Sequence, residues 1–324
     1  MKTRHTTDIL IIGAGPIGIA CALECKKRQL KYVVIEKGAL TNSIYNYPLN
    51  MTFFSTSEKL EIDDIPFISN NPKPTRNEAL EYYRRVVTSN RLNIKLYEEV
   101  AAVKKENDSF SIESSKAHYE AKHLIVATGF YDIPNMLNVP GEELPKVFHY
   151  YKEAHPFSLQ NVAIVGASNS SVDAALEIYR KGGNVTMIIR GDAISERVKY
   201  WVRPDIINRI EEGSIKVFYT SEIEAIKEHE LIINTPEGTK RIANDFVLAL
   251  TGYQPNFRFL EAIGVQFSQD EKHSPTYNPE TMETNVSNLY LAGVICGGME
   301  THKWFIENSR IHAKQIAEYI ENNK

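Results

Sequence analysis

Two glycine-rich turns, each set between an apolar strand pattern and a helical one, constrain this chain more than any other feature. The first reads Asp8-Ile9-Leu10-Ile11-Ile12-Gly13-Ala14-Gly15-Pro16-Ile17-Gly18. The second reads Asn161-Val162-Ala163-Ile164-Val165-Gly166-Ala167-Ser168-Asn169-Ser170-Ser171. One such pattern arises easily by chance. A pair of them in 324 residues predicts an α/β protein of two dinucleotide-binding, Rossmann-like domains. Two dinucleotides held face to face are the means by which an enzyme moves a hydride.

The first turn has the parts that a pyrophosphate needs. Ile9 to Ile12 is a continuous apolar run, as expected of a central parallel strand buried on both faces. Gly13 permits the tight turn, Gly15 lets the backbone approach a pyrophosphate, and Gly18 allows close helix–strand packing. The helix is predicted from about Pro16 to Arg28, with its free N–H groups and those of Ile17 and Gly18 toward the phosphates. A second strand, Tyr32 to Ile35, ends at Glu36. An acid there can accept from a ribose hydroxyl pair and would repel a 2′-phosphate, which selects FAD or NAD. Lys37 and Val100 are assigned to the same site.

Later segments decide between those two. Thr128 and Gly129 follow the strand Leu124 to Val126, and Asn288 to Gly293 is another short apolar strand ending in glycine. Both resemble signatures of flavoproteins with paired dinucleotide-binding domains, which implies FAD at the first turn and Gly293 backbone near its ribityl chain. In that group an aspartate usually follows the last glycine; here it is Val294, which offers only its backbone N–H.

The second turn departs from the pattern. Ser168 and Ser171 replace its later glycines after Gly166, and Ser168, Asn169 and Ser170 add donors for phosphate. A helix from Val172 to Tyr179 and a strand from Val185 to Ile189 follow, ending at Arg190, with Arg197 and Lys199 close behind. A cation in place of the acid suits a 2′-phosphate, so NADPH is expected over NADH. The run Val247 to Leu250, leading to Gly252, reads as the exit from this domain. The expected organisation is a discontinuous FAD domain, 1–130 and 253–324, with an NADPH domain of 131–252 inserted into it.

Thr75-Arg76-Asn77-Glu78 is a capping box that opens a helix to about Asn90, and Trp304 to Ile320 is predicted as a single terminal helix. From Asn93 to Val126 the alternation has period two, which predicts a small antiparallel insertion. Phe148 to Pro156 is similar to the F-x-G-x-x-x-H linker of flavin monooxygenases, but Tyr150 replaces the glycine and His155 falls one place late. A net charge of −4, with 24% charged residues, excludes bulk affinity for nucleic acid. The longest uncharged stretch, Ile9 to Leu23, is too short to span a bilayer and is broken by glycines, so a cytoplasmic protein is expected. Cys21, Cys25 and Cys296 form no paired framework and no C-x-x-C, and no metal cluster is expected.

Ser43-Ile44-Tyr45-Asn46-Tyr47-Pro48, Thr52-Phe53-Phe54-Ser55, Pro145 to Tyr150, Glu153 to Pro156 and Phe305 to Asn308 stand out beside the turns. Together these closely resemble the bacterial bacillithiol-disulfide reductases, relatives of thioredoxin reductase, nearly from end to end. The resemblance implies FAD, NADPH, a homo-oligomer and a small-molecule disulfide as electron acceptor. It also implies a cysteine within the first turn, at the position that Ile17 occupies. A thiolate is the nucleophile of disulfide exchange and isoleucine cannot replace it. Cys21, a helical turn further along, reads as core. A ferredoxin, flavodoxin or quinone acceptor therefore stands as the alternative, with flavin monooxygenase chemistry and a non-enzymatic nucleotide sensor behind it.

Overall fold

The computed structural model describes residues 2–323. The chain divides into two compact units. One holds the chain up to Tyr47, Met51–Ile133 and the chain from Tyr253 onward; the other holds Pro48–Asn50 and Pro134–Gly252.

The first unit is built on the strand Thr3–Ile12, whose apolar end is buried on both faces. Tyr32–Ile35 lies parallel on one side of it and Ala117–Val126 parallel on the other. Ile94–Lys95 extends the sheet beyond Tyr32–Ile35, and Leu289–Leu291 pairs with the end of Ala117–Val126. The strand order therefore reverses at Thr3–Ile12, which opens a crevice at the carboxyl ends of the strands. Register aligns those ends: Ile12 faces both Ile35 and Val126, and Val126 faces Leu291. The expected antiparallel insertion is present as Val100–Glu106 and Ser109–Ser114, paired onto the early part of Ala117–Val126.

Helices cover this sheet. Pro16–Lys27 buries Ile17, Ile19, Ala20, Cys21, Leu23 and Cys25 and packs against the terminal helix Ile311–Asn322. Arg28 joins that pair by ion pairs to Glu318 and Glu321. Arg76–Ser89 starts as the capping box requires: the Thr75 N–H donates to Glu78 Oε2 at 2.7 Å, and the Glu78 N–H to Thr75 Oγ1 at 3.3 Å. The predicted single helix from Trp304 is instead two pieces, Ile306–Ser309 and Ile311–Asn322. The Asn308 carboxamide accepts the Phe305 N–H, so the first piece begins at Ile306, and the Ser309 hydroxyl competes for the Phe305 carbonyl.

The second unit repeats the logic with five parallel strands in the order Lys216–Phe218, Asn184–Ile188, Asn161–Val165, Phe246–Ala249, Val147–Phe148. The order again reverses at the strand that leads into the glycine turn. The helix Asn169–Arg180 follows that turn, and Arg203–Glu211 packs beside it. A three-stranded antiparallel sheet, Glu222–Ile226, Glu230–Thr235 and Gly238–Ala243, was not apparent in the sequence. Its last strand is almost wholly exposed, so it carries no apolar alternation to read. Among the described residues no helix is long and apolar enough to cross a membrane.

The glycines of the first turn differ in what holds them. A Cβ at Gly13 would lie 2.6 Å from the Ala127 carbonyl oxygen, and one at Gly18 would run into the Gly13 carbonyl. At Gly15 it would meet nothing within 4 Å. Gly18→Ala is therefore expected to destabilise the protein by about 1–3 kcal/mol, as overpacking does. Gly15→Ala should leave the cofactor-free protein as stable as wild type. Urea unfolding of the two stripped variants checks this, and equal losses would contradict it.

Candidate functional site

At the first turn the aligned strand ends bring Gly13, Glu36, Ala127 and Ala292 side by side. The Gly13 N–H donates to the Ile35 carbonyl at 2.8 Å, Ala127 N–H to Ile12 at 2.8 Å, and Ala292 N–H to Val126 at 2.9 Å. Gly13 has φ +102°, a conformation that favours glycine. The helical ladder starts with Ile19 N–H on the Gly15 carbonyl at 2.9 Å. The N–H groups of Ile17 and Gly18 are thereby left for a ligand, with Pro16 before them as the first helical residue. The open space over Gly15 is the cradle that a pyrophosphate would fill.

Glu36 is only 7% exposed. Its carboxylate accepts the Ala14 N–H and the Gly38 N–H, each at 2.8 Å. Burial pushes its pKa up, against those two hydrogen bonds. Glu36 thus ties the glycine turn to the end of the second strand, and each oxygen keeps a lone pair for a ribose hydroxyl. Lys37 is exposed and pairs with Asp132 at 2.9 Å. Val100 is half-buried in the antiparallel strand that begins there. Thr128 and Gly129 are half-buried, and a Cβ at Gly129 would meet open space.

Ile17 and Gly293 face one another. Ile17 is 8% exposed, and a Cβ at Gly293 would come within 3.3 Å of its side chain. Gly293 has φ +89°, and half-buried Val294 starts the short turn Val294–Gly297. The sequence showed no sign of what holds Gly293: its N–H donates to Nδ1 of His312 at 3.2 Å. His312 is 2% exposed, with Trp304 edge-on at 4.6 Å between ring centroids. Burial pushes its pKa down to about 4, so it is neutral, with the proton on Nε2. A single histidine on an amphipathic helix gives no sequence signal of such a role. The three thiols are buried as well. Burial pushes Cys25 up to about 12, and Cys21 and Cys296 are raised also.

The second turn is held by different atoms. Gly166 has φ +128°, and a Cβ there would approach the Leu250 carbonyl oxygen at 2.6 Å. Ser171 is fully buried and donates to the Ser168 carbonyl at 2.8 Å, so it packs the turn from inside. Ser168 and Ser170 are exposed. The carboxamide of Asn169, read from sequence as a phosphate donor, is engaged at both ends by the loop after Arg190. Lys199 is 7% exposed and bound to Asp173 at 2.7 Å, which removes it from the cations available to a ligand. Arg190 and Arg197 are exposed, and their side chains have no acidic partner among the described residues. Gly252 is exposed with φ +93°, its carbonyl accepting the Asn135 N–H at 3.0 Å. Among the described residues no group of three or more His, Cys, Asp or Glu side chains could hold a metal ion.

Residues 10–293 match the family model described as pyridine nucleotide-disulphide oxidoreductase. The chain belongs to that family. Its members use a flavin and a pyridine nucleotide, and the two turns fit two such groups. The bacilliredoxin reductase Bdr of Bacillus subtilis strain 168 is 46% identical over 313 residues, 96% of either chain. The solved bacillithiol disulfide reductase Bdr of Staphylococcus aureus superposes with a TM-score of 0.96 at 43% identity, over 99% of both chains. That of Bacillus cereus gives 0.96 at 44%, covering 99% of this chain and all of the other. This oxidoreductase therefore has the thioredoxin-reductase-like two-domain fold.

The His312 assignment has a pH signature. Its folded pKa lies below the ordinary histidine value of about 6.5. As pH falls from about 6.5 toward 4, the unfolded chain takes up a proton that the folded oxidoreductase refuses. Stability is lost over that window, by about 2 kcal/mol at pH 5. His312→Asn keeps an acceptor for the Gly293 N–H without the titration. Urea unfolding at pH 7 and pH 5 should show the variant losing less than wild type; parallel losses would refute a neutral buried His312.

Proposed function

We propose that this oxidoreductase holds FAD at the Gly13 turn and NADPH at the Gly166 turn and reduces a low-molecular-weight disulfide of the bacillithiol type. The observation that carries this reading is the likeness to Bdr along 96% of both chains at 46% identity. The FAD domain comprises 1–130 and 253–324, and the NADPH domain 131–252. When bound, the two cofactors supply the redox chemistry, two electrons entering from NADPH and leaving through the flavin.

The chain's own residues bind and orient. Gly13, Gly15 and Gly18 let the backbone N–H groups of Ile17 and Gly18 reach a pyrophosphate, and Glu36 accepts from a ribose. With the Gly293 N–H held by His312 and its carbonyl by the Cys296 N–H, Val294 offers its backbone N–H to the rest of FAD, and Ile17 packs on Gly293 beside it. Ser168, Ser170 and the helix they open take the coenzyme pyrophosphate. Arg190 and Arg197, without acids of their own, take the 2′-phosphate and favour NADPH over NADH.

One observation favours a second acceptor class. Ile17 stands where the family resemblance implies a cysteine, and Cys21, Cys25 and Cys296 are buried and protonated. No thiolate is present to form a mixed disulfide. An acceptor that takes electrons without one, such as a ferredoxin, a flavodoxin or a quinone, accommodates this directly.

One set of measurements separates the readings. Under anaerobic conditions NADPH is expected to bleach the flavin of the holoenzyme, and NADH to do so more slowly. A flavin that stays yellow sinks the reading. Steady-state NADPH oxidation should require added bacillithiol disulfide; a rate that instead tracks ferredoxin or quinone selects the second acceptor class. Iodoacetamide on the native enzyme should leave the rate within about twofold, since buried neutral thiols are inert.

A further inference from the structure

The loop from Arg190 to Val202 carries both arginines assigned above to the 2′-phosphate. A loop of this kind, if mobile, would have to be ordered by its ligand at a cost in affinity. Here it is already tied down. Ile194 and Val198 are buried in the core of the second unit. The Ser195 N–H donates to the Ala167 carbonyl at 3.0 Å, and the Lys199 ammonium to Asp173 at 2.7 Å. Between these ties lies Arg197: its N–H donates to the Ser195 hydroxyl at 3.2 Å, and its carbonyl is held by the Asn169 carboxamide. Asn169 Oδ1 accepts the Lys199 N–H at 2.8 Å, and Asn169 Nδ2 donates to the Arg197 carbonyl at 3.1 Å.

Asn169 is also the first residue of the helix that follows the glycine turn. Its carboxamide behaves as an extra peptide group spliced between the turn and the loop. With both polar ends engaged in protein, it has little left to offer a phosphate. Arg190 is held differently: Gly191 beside it accepts the Thr220 N–H at 2.8 Å, and the Ile189 carbonyl accepts the Ser221 N–H at 3.0 Å.

We infer that Asn169 is a positioning residue for coenzyme selectivity: by bracing the Arg197–Lys199 backbone against the helix start, it sets Arg197 for the 2′-phosphate. This rests on the assignment of Arg190 and Arg197 to that phosphate. Removing the carboxamide leaves the loop anchored through Ile194, Ser195, Val198 and Lys199, so the fold persists. Arg197 gains freedom that binding must then remove, and the loss falls on 2′-phosphorylated ligands alone. It passes through Arg197 and not through Arg190.

The test is calorimetric binding of NADP⁺ and NAD⁺ to the holoenzyme and its variants, with thermal melting as the check on folding. Asn169→Ala is expected to weaken NADP⁺ about tenfold, the worth of one to two hydrogen bonds, and NAD⁺ by less than about twofold. It should add nothing to the loss caused by Arg197→Ala, and should add fully to that of Arg190→Ala. Equal weakening of both coenzymes, or full additivity with Arg197→Ala, overturns the inference while the arginine assignment stands. If Arg190→Ala and Arg197→Ala both leave the preference for NADP⁺ intact, the assignment itself fails and the inference falls with it. Lys199→Met, which breaks only the Asp173 tie, provides the second variant: a loss of selectivity as large as that of Asn169→Ala would place the control in the ion pair and overturn the inference.

Discussion

The fold depends on how closely two backbones approach at each glycine turn. At Gly13 there is no room for a side chain beneath the Ala127 carbonyl, and Gly18 lies over the Gly13 carbonyl in the same way. Gly166 stands equally close to the Leu250 carbonyl. These contacts bring a strand end, a helix start and the end of a neighbouring strand to one point. Everything a dinucleotide needs follows: free N–H groups at a helix N-terminus, a reversal of strand order, and open space over Gly15. The two turns solve the last packing problem differently. The first uses Gly18, and the second uses Ser171, whose hydroxyl bonds to the Ser168 carbonyl within the turn.

Several polar groups at these turns serve the fold itself. Buried polar atoms need partners, and the cheapest partners are backbone groups nearby. Glu36 therefore binds the N–H groups of Ala14 and Gly38 while facing the crevice, and Lys199 is held by Asp173. The same reasoning separates cations held by the protein from those left to a ligand. Only after Lys199 is accounted for do Arg190 and Arg197 stand out in that loop as the pair without acids.

The contact between Ile17 and Gly293 bears on the chemistry. Likeness to the Bdr reductases extends over nearly the whole chain, yet the side chain at the heart of the first turn is aliphatic and tightly packed. The cysteines that remain lie in the core, where desolvation keeps them as thiols. The glycine spacing that fixes the turn thus places no demand on the side chain at Ile17, which packs on Gly293 whatever its chemistry.

Much of this was legible in the sequence because it is local. The apolar runs, the spacing of Gly13, Gly15 and Gly18, the acid at Glu36 and the capping box at Thr75 each act within a few residues or one strand–helix–strand unit. Propensity and periodicity report such features directly. What lay outside that reach depends on partners distant in the chain. The Gly293 N–H finds His312, Asn169 finds the backbone at Arg197 and Lys199, and the exposed strand Gly238–Ala243 is specified by its neighbour and not by its own pattern. The terminal helix breaks because of side-chain bonds to Phe305 that periodicity does not register. The sequence by itself determined two dinucleotide-binding folds and their glycine turns, since these follow from local backbone conformation. Tertiary structure alone decided which polar side chains are engaged by the protein and which are free for a ligand, since satisfying a buried polar atom is a matter of neighbours in space.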